Sequence, residues 1–389
     1  MSIAKLDEPH NYEGDIFAEL QSFGVQIDDG PHGASIRKGG AGPSDHMAIS
    51  LGDTTLMVPV LSRNARSSPF RLRMVGSEGA GVVIERDDRV VAEGTTRGTP
   101  RFYALSTKDG IPYHKIALLH STNVLASTVL QSCYRFNDPA TACQFCALGD
   151  SLRGGRTLAR KTPEQLAEVA EAALRLDAVE HVVLTTGTPA TPDRGAAHLA
   201  ACARAIKNAT RLPIQVQCEP PADFTWFERL RAAGADALGL HLEAVEPEVR
   251  ARVIPSKNEV PISFYFDAFA ASVKVFGRGN VSTYLIAGLG DSHRSLVETA
   301  DRLTRMGVYP FVVPFVPLQG TPMQSHPAPS TAFMQAVYRD VGRAIRAAGL
   351  SAAETQAGCA KCGACSALSA YEKSDSSLRE PASARSGHA

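Results

Sequence analysis

The chain lacks both an excess of charge of one sign and a long apolar run. Its 389 residues include 40 basic and 40 acidic side chains, so the formal net charge is zero. This balance removes a global electrostatic reason to bind nucleic acid or an anionic membrane. No stretch reaches the roughly 18 uninterrupted apolar residues of a membrane span, and the N-terminus has no apolar segment typical of a secretory signal. We therefore expect a cytoplasmic protein with neither nucleic-acid nor membrane partners.

Cysteine is scarce, and most of it is grouped. Six of the eight cysteines lie in two sets of three. We call Cys133, Cys143 and Cys146 the first cysteine triad, and Cys359, Cys362 and Cys365 the second cysteine triad. Such grouping in a long intracellular chain fits metal binding better than disulfides. The other two, Cys202 and Cys218, are expected to be buried in the core.

The first cysteine triad has no fourth cysteine nearby. Iron-sulfur clusters normally use four cysteines, so three leave one iron open for a ligand that is not protein. A structural zinc site is the alternative, but closed zinc sites require four ligands. The nearest histidine on the C-terminal side, His181, is far from the triad in sequence. The triad therefore favours a catalytic iron-sulfur site over a structural one.

An alternation of strand and helix signals begins near residue 120. Apolar runs typical of strands cover residues 126–130, 181–186, 213–218, 235–242, 280–287 and 309–315, with amphipathic segments between them. Thr162 and Gln165 match a capping box, as do Thr225 and Glu228. The pattern predicts an α/β fold whose parallel sheet forms a barrel or an open doubly wound sheet. Ligands of either architecture bind at the carboxyl ends of the strands, where the first cysteine triad lies.

The flanking regions differ from this central one, and the length suggests two or three domains. We predict a β-rich or α+β domain over residues 1–117, the strand and helix region over 118–328, a C-terminal helix and cysteine motif over 329–373, and a disordered tail over 374–389. The glycine-rich residues 39–43 lack the lysine of a phosphate-binding loop. Asp45 and His46 are expected to cap a turn, with contact to a substrate as the alternative.

The third predicted strand has one polar face. Gln215, Gln217 and Glu219 alternate with apolar neighbours. A polar face inside a buried parallel strand is costly unless it meets a ligand or forms mutual hydrogen bonds. We favour a ligand-binding role and keep mutual hydrogen bonding as the alternative.

Taken in chain order, these features resemble the radical S-adenosylmethionine (radical SAM) superfamily, in particular its biotin-synthase-like branch. Phe145 immediately precedes the last cysteine of the first triad, as the superfamily's aromatic residue does. Nine residues separate Cys133 from Cys143, however, where the common motif has three. The resemblance covers about residues 120–325 and implies a partial (βα)6 TIM-like barrel.

The resemblance also implies a ligand set. The first triad would hold a [4Fe-4S] cluster whose open iron chelates SAM. Thr185, Thr186 and Gly187 lie where the family places the turn that holds the SAM amino group, although its acidic residue is missing here. His241 and Glu243 match the ribose-binding segment. The remaining residues implied to contact the cofactor are Phe145, Gln217, Glu219, Ile286, Gly288, Pro314 and Phe315.

The implied reaction is reductive cleavage of SAM to a 5′-deoxyadenosyl radical that abstracts hydrogen from a small organic substrate. Flavodoxin or ferredoxin would supply the electron. The second triad is expected to hold an auxiliary iron-sulfur cluster, with zinc as the alternative. The whole pattern resembles a radical SAM subfamily encoded beside nitrilases, which implies a nitrile or its precursor as substrate.

Two other functions remain open at the level of sequence. One is biotin-synthase-like sulfur insertion with a sacrificial auxiliary cluster. The other is a non-catalytic α/β binding protein stabilised by zinc in both triads.

Overall fold

The computed structural model describes residues 13–27, 36–37, 45–75 and 81–373. The predictions for the glycine-rich residues 39–43 and for the tail 374–389 lie outside these ranges.

The N-terminal part is a mixed sheet covered by a helix. Its elements are α1 (Glu13–Phe23), β1 (Gln26–Ile27), β2 (Ile36–Arg37), β3 (His46–Leu51), β4 (Thr54–Pro59), α2 (Arg63–Arg66), β5 (Phe70–Val75), β6 (Gly81–Arg86) and β7 (Arg89–Thr96). The strand order is β1-β5-β6-β7-β3-β2, with β4 also paired to β3. Along β5, Phe70 and Leu72 are buried while Arg71 and Arg73 face solvent, the period of two that a half-buried strand requires. The prediction of a β-rich N-terminal region is confirmed.

The central part is a sheet of parallel strands connected by helices. Its elements are β8 (Leu118–His120), β9 (Val124–Thr128), α3 (Leu148–Arg153), α4 (Pro163–Asp177), β10 (His181–Thr185), α5 (Ala196–Thr210), β11 (Ile214–Gln217), α6 (Thr225–Ala232), β12 (Ala237–Gly239), α7 (Pro247–Val253), α8 (Ile262–Phe276), β13 (Val281–Ala287), α9 (His293–Met306) and β14 (Val308–Pro314). Strands β9 to β14 pair in sequence order, all in parallel, and β8 adds an antiparallel strand at the β9 edge. No pairing joins β8 to β14 within the described ranges, so the barrel is partial, as predicted.

The two predicted helix starts have different outcomes. Thr162 and Gln165 form the expected capping box, with each side chain accepting a hydrogen bond from the other residue's backbone N–H. The second capping box is wrong, because Thr225 is already the first residue of α6. Asp223 caps that end instead, since its carboxylate accepts hydrogen bonds from the N–H and the hydroxyl of Thr225 at 2.9 and 2.6 Å.

Within the described residues, three helices follow the barrel: α10 (Thr331–Ala347), α11 (Cys359–Cys362) and α12 (Leu368–Lys373). Helix α1 packs against α10 and α12, so the N-terminal part rests on the C-terminal extension. A continuous cluster of buried apolar side chains runs through all three parts. Cys202 and Cys218 belong to it, as predicted. Among the helices of the described ranges, none has the length and apolar character needed to cross a membrane.

Candidate active site

A cavity of about 360 Å³ occupies the interior of the barrel. It is lined from three directions: by strand side chains, by the loops at the carboxyl ends of the strands, and by the N-terminal sheet. The lining residues used below are Gln21, His46, Met57, His120, Phe145, Thr185, Gln217, His241, Glu243, Tyr284, Ile286, Pro314, Phe315, Cys359, Cys362 and Cys365.

The first cysteine triad lies on the long loop between β9 and α4. Cys133 is extended and precedes a short 3-10 turn, and the N–H of Cys146 donates to the carbonyl of Cys143 at 3.0 Å. Between these two cysteines, the N–H of Gln144 donates to the carbonyl of Val253 at the end of α7. The carbonyl of Gln144 accepts from the N–H of Met323, so backbone hydrogen bonds hold the loop from two sides.

The thiols of the first triad lie close enough to influence one another. Burial is the main cause that raises the pKa of Cys143 well above its usual range, followed by the carboxylate of Glu243, with smaller effects from Cys146 and Cys133. Burial likewise raises the pKa of Cys146 to about 11. Neutral thiols of this kind lose their protons on binding a metal, so this cost has to be offset by the bound group.

A buried ion pair stands beside the first triad. The Lys257 ammonium lies 2.9 Å from Glu243 Oε2 and donates to the carbonyl of His241 at 2.8 Å. Glu243 has a left-handed backbone with φ of 70°, a costly conformation for any residue other than glycine, asparagine or aspartate. Two backbone hydrogen bonds with β13 hold it there. The carboxylate is therefore fixed at the cavity wall.

His241 lies on the same wall and is uncharged. Burial, and next the positive charge of Lys257, lower the pKa of His241 to about 3. Its Nδ1 has no hydrogen-bond partner within the described residues. The ring packs edge-on against Tyr284, with 4.5 Å between centroids. A buried nitrogen left without a partner is costly, so this atom is available to a ligand in the cavity.

Glu219 forms a second buried ion pair, which the sequence did not reveal. Arg135, two residues after the first cysteine, donates to its carboxylate from Nε at 2.9 Å, and the Thr188 hydroxyl donates to it at 2.8 Å. Burial raises the pKa of Glu219, but Lys257, Arg135 and Thr188 together outweigh it and lower the pKa. The structure thus ties Glu219 to Arg135, outside the cavity lining.

The turn after β10 packs directly on the segment of the first cysteine. The N–H of Gly187 donates to the carbonyl of Leu130 at 2.8 Å, and a Cβ at Gly187 would lie 2.2 Å from the carbonyl oxygen of Ser132. Only glycine fits this approach. Thr185 lines the cavity at the end of its strand, while the Thr186 hydroxyl donates to the carbonyl of Gly187.

Apolar side chains close the cavity at the carboxyl ends of the last two strands. Phe145 and Ile286 pack on a small apolar cluster that contains Phe315, and all three line the cavity together with Pro314. Gly288 lies one step outside, where its carbonyl accepts a hydrogen bond from His326. The structure therefore gathers most of the residues predicted to contact the cofactor around one space.

The second cysteine triad enters the barrel interior from the C-terminal extension. Gly358 has φ of 104°, and a Cβ there would lie 2.2 Å from the amide carbon of Gln215. Its N–H donates to His181 Nδ1, and the N–H of Cys359 donates to Gln215 Oε1 at 3.1 Å. Both partners lie near the amino ends of their strands, so the second triad lies deeper in the barrel than the first.

Side chains on three strands contact the sulfurs of the second triad. Gln217 Nε2 lies 3.1 Å from Cys359 Sγ, and His120 Nε2 lies 3.3 Å from Cys365 Sγ. The Tyr284 hydroxyl also hydrogen bonds to Cys359. Gln217 and Gln215 bond to each other as well, so mutual hydrogen bonding along the polar face of β11 coexists with contact to the cysteines.

The N-terminal sheet covers the second triad. Ala364, between its last two cysteines, accepts hydrogen bonds from the N–H of Met57 at 2.7 Å and from Gln21 Nε2 at 3.1 Å. The other amide atom, Gln21 Oε1, is buried without a hydrogen-bond partner in the described ranges. His46 begins β3 and lines the cavity, so the expectation that it caps a turn is wrong and the alternative, access to a bound molecule, is open to it.

The donor sets fit iron-sulfur clusters. Each triad offers three thiols, the donors that such clusters use. A [4Fe-4S] cluster spreads its ligands over several irons and leaves one iron free where a fourth cysteine is missing. Cys133, Cys143 and Cys146 would hold one cluster at the mouth of the cavity, and the second triad would hold another in its interior.

This arrangement of a partial parallel barrel and a cysteine triad at its carboxyl end defines a class of enzyme. Residues 137–303 match the family model described as the radical SAM superfamily. The barrel region of the chain is therefore similar to the enzymes of this superfamily, which use a [4Fe-4S] cluster and SAM.

Individual relatives share only parts of the chain. It is 31% identical over 121 residues to the bacteriochlorophyllide c C-7(1)-hydroxylase of Chlorobaculum limnaeum, covering 31% of this chain and 30% of that protein. It is 31% identical over 172 residues to the lipoyl synthase of Marinobacter nauticus, covering 43% and 47%. The chain therefore spans less than half the length of these curated relatives. The crystal structure of methylornithine synthase (PylB) aligns with a TM-score of 0.44 at 17% identity, over 62% of this chain and 71% of that one.

Proposed function

We propose that the protein cleaves SAM reductively at a [4Fe-4S] cluster on Cys133, Cys143 and Cys146. The resulting 5′-deoxyadenosyl radical abstracts hydrogen from a small organic molecule in the barrel cavity, and a second cluster on Cys359, Cys362 and Cys365 takes part in the reaction. Flavodoxin or ferredoxin supplies the electron.

The observation that carries this proposal is the shared cavity. One continuous space is lined by Phe145, His241 and Glu243 beside the first triad and by all three cysteines of the second. A purely structural second metal site has no need to face the same space. Its position favours a role in the chemistry.

The residues of this chain would bind, orient and protect the reactants. Lys257 holds Glu243 in place, which suits a carboxylate that accepts hydrogen bonds from the ribose of SAM. His241 stays neutral, and its Nδ1 can form one hydrogen bond with a bound molecule. Phe145, Ile286 and Phe315 exclude water from the place where the radical forms.

The lining favours an uncharged substrate. Among the described residues that line the cavity there is no lysine, arginine or aspartate, and its one carboxylate, Glu243, is paired with Lys257. A phosphate or carboxylate substrate would lose its hydration there without gaining a counter-charge. A nitrile or its precursor, the class suggested by the subfamily resemblance, meets this condition.

Matched cysteine variants test the proposal. Protein purified and reconstituted without oxygen should contain about eight iron atoms per chain, in two clusters. Both Cys143→Ala/Cys146→Ala and Cys359→Ala/Cys362→Ala should fall to about four. The first should lose all reductive SAM cleavage to 5′-deoxyadenosine, whereas the second should retain cleavage in the absence of substrate.

The control is Cys202→Ala/Cys218→Ala, which removes two buried cysteines that do not line the cavity. It should keep both its iron and its SAM cleavage. Zinc without iron, or SAM cleavage that survives in Cys143→Ala/Cys146→Ala, would contradict the proposal.

Sulfur insertion is the second candidate, because the second triad faces the same cavity as the SAM side and one relative is a lipoyl synthase. It requires that sulfide be lost from the second cluster in step with product formation. Constant sulfide over several turnovers would exclude it.

A further inference from the structure

The two triads differ in the hydrogen bonds made to their sulfurs. Side chains that contact the second triad include Gln217 and Tyr284 at Cys359, and His120 at Cys365. Within the described part of the chain, the first triad has no comparable side-chain donor, and a backbone N–H, that of Leu148, bonds to Cys146. The second site is thus contacted by an amide, a hydroxyl and an imidazole, whereas the first lies beside buried ion pairs.

A metal-bound thiolate can only accept hydrogen bonds. The amide Nε2 of Gln217 and the hydroxyl of Tyr284 are donors as they stand, and His120 becomes one in the tautomer that carries its proton on Nε2. Hydrogen bonds to cluster sulfurs stabilise the extra negative charge of the reduced cluster and so raise its reduction potential. Among the described residues, side chains make such bonds to the second triad but not to the first, and this difference separates the two reduction potentials.

The second triad is also placed to exchange an electron with a molecule in the cavity. Its three cysteines line the space, and Tyr284 connects the two sides of that space. The Tyr284 hydroxyl bonds to Cys359, and its ring lies edge-on to His241, with 4.5 Å between centroids, on the wall beside the first triad.

We propose that Tyr284, Gln217 and His120 are positioning residues that hold the cluster on the second triad at a higher reduction potential than the cluster on the first. The second cluster thereby accepts one electron from the substrate radical. This inference rests on the proposed function. It also specifies the type of reaction, because a cluster that accepts an electron from the substrate radical makes the reaction a net oxidation of the substrate.

The electrons of this reaction balance when SAM is the oxidant. Cleavage of SAM takes one electron from the external flavodoxin or ferredoxin, and the 5′-deoxyadenosyl radical removes one hydrogen atom from the substrate. The substrate radical then gives one electron to the oxidised second cluster and one proton to water. The electron returns to the flavodoxin or ferredoxin, so the substrate has lost two hydrogen atoms and SAM has become methionine and 5′-deoxyadenosine.

Redox titration followed by EPR tests this inference without a substrate. The Cys143→Ala/Cys146→Ala protein reports the second cluster alone, and Cys359→Ala/Cys362→Ala reports the first. We expect the second cluster to have the higher midpoint potential. Adding Tyr284→Phe, Gln217→Leu or His120→Phe to the first of these proteins should shift that midpoint to lower potential.

Tyr309→Phe is the matched control, since this buried hydroxyl bonds to Glu372 at 2.8 Å and does not line the cavity. It should leave the potential unchanged. Equal potentials, a lower potential at the second cluster, or indifference to all three substitutions would overturn the inference. Strong nitrogen hyperfine coupling that disappears in His120→Phe would do so as well, because His120 would then be an iron ligand rather than a donor to Cys365.

Metal analysis of the same samples separates this failure from that of the proposed function. Zinc in the second triad would overturn both the auxiliary cluster and this inference. Iron and sulfide with the wrong order of potentials would overturn the inference alone.

Discussion

The two cysteine triads are surrounded by different kinds of interaction. Around the first triad, two buried ion pairs, Glu243 with Lys257 and Glu219 with Arg135, fix the cavity wall and the cysteine loop. Around the second, neutral side chains bond to the sulfurs and to the backbone that carries them. Removing a charged side chain should therefore disturb the first site most. Removing a hydrogen bond, or adding a side chain where the backbone requires glycine, should disturb the second site most.

The difference matches the two tasks proposed here. A site that binds SAM, a charged and polar ligand, gains from a carboxylate that is fixed at its wall. A site that exchanges electrons with an uncharged molecule gains from dipoles that stabilise extra charge on its cluster without bringing a counter-ion into the cavity.

Among substitutions near the two triads, Lys257→Met is expected to lower the free energy of unfolding most. Lys257 is almost fully buried, and its removal leaves the carboxylate of Glu243 without a partner beside the first triad. Breaking a buried ion pair from one side costs about 3–5 kcal/mol. Chemical denaturation of the reconstituted protein should show a loss of this size in the free energy of unfolding. Arg294→Met, which breaks an exposed helical pair with Glu298, should leave the free energy of unfolding almost unchanged.

A backbone substitution should act on the second triad alone. Gly358→Ala places a Cβ against the Gln215 amide at a left-handed backbone position, and we expect a cost of about 1–3 kcal/mol and the loss of roughly half the iron. Gly349→Ala is the matched control, because Gly349 also has positive φ but nothing lies near its Cβ. Iron content should stay unchanged in the control. Equal iron in both variants would show that the approach of Gly358 to Gln215 does not position the second triad.

A smaller, pH-dependent effect is expected at the second triad. Burial, and next the charge of Lys361, lower the pKa of His181 to about 4, below its value near 6.5 in the unfolded chain. The unfolded chain therefore takes up a proton as the pH falls below about 6.5, while the folded protein does not. The free energy of unfolding should decrease over this window by at most about 1.4 kcal/mol per pH unit.

His181→Asn keeps an acceptor for the N–H of Gly358 but removes the titrating ring. This variant should lose part of the slope between about pH 5 and 7. His293→Asn, at a partly exposed histidine, serves as the control. An unchanged slope in His181→Asn would contradict the assignment of the pH dependence to His181.

The sequence predicts the barrel well because of how parallel strands are buried. A strand covered on both faces has to be almost uniformly apolar, so runs such as 181–186 and 280–287 fall within two residues of β10 and β13. The run 235–242 forms a strand only over Ala237–Gly239. Leu240 and Leu242 continue the apolar pattern, but the chain then turns at Glu243, whose left-handed backbone no hydrophobic pattern reveals.

The parts of the site that escaped prediction depend on contacts between distant segments. Gln21 bonds to Ala364 across 343 residues of sequence, and neither position carries a local signal of that contact. The same holds for His120 beside Cys365, and for Arg135 beside Glu219. Gln217 was predicted from the polar face of its strand, whereas its contact with the second triad required knowledge of where the C-terminal extension docks.

The most direct test of the account is the EPR spectrum of the protein with both clusters reduced. The second triad lines the cavity of about 360 Å³, and so does Phe145, which lies between two cysteines of the first triad, so two clusters held at these positions should couple magnetically. The wild-type spectrum should therefore be broadened or split, and the coupling should vanish in both Cys143→Ala/Cys146→Ala and Cys359→Ala/Cys362→Ala. A wild-type spectrum equal to the sum of the two variant spectra would contradict the claim that both triads serve a single active site.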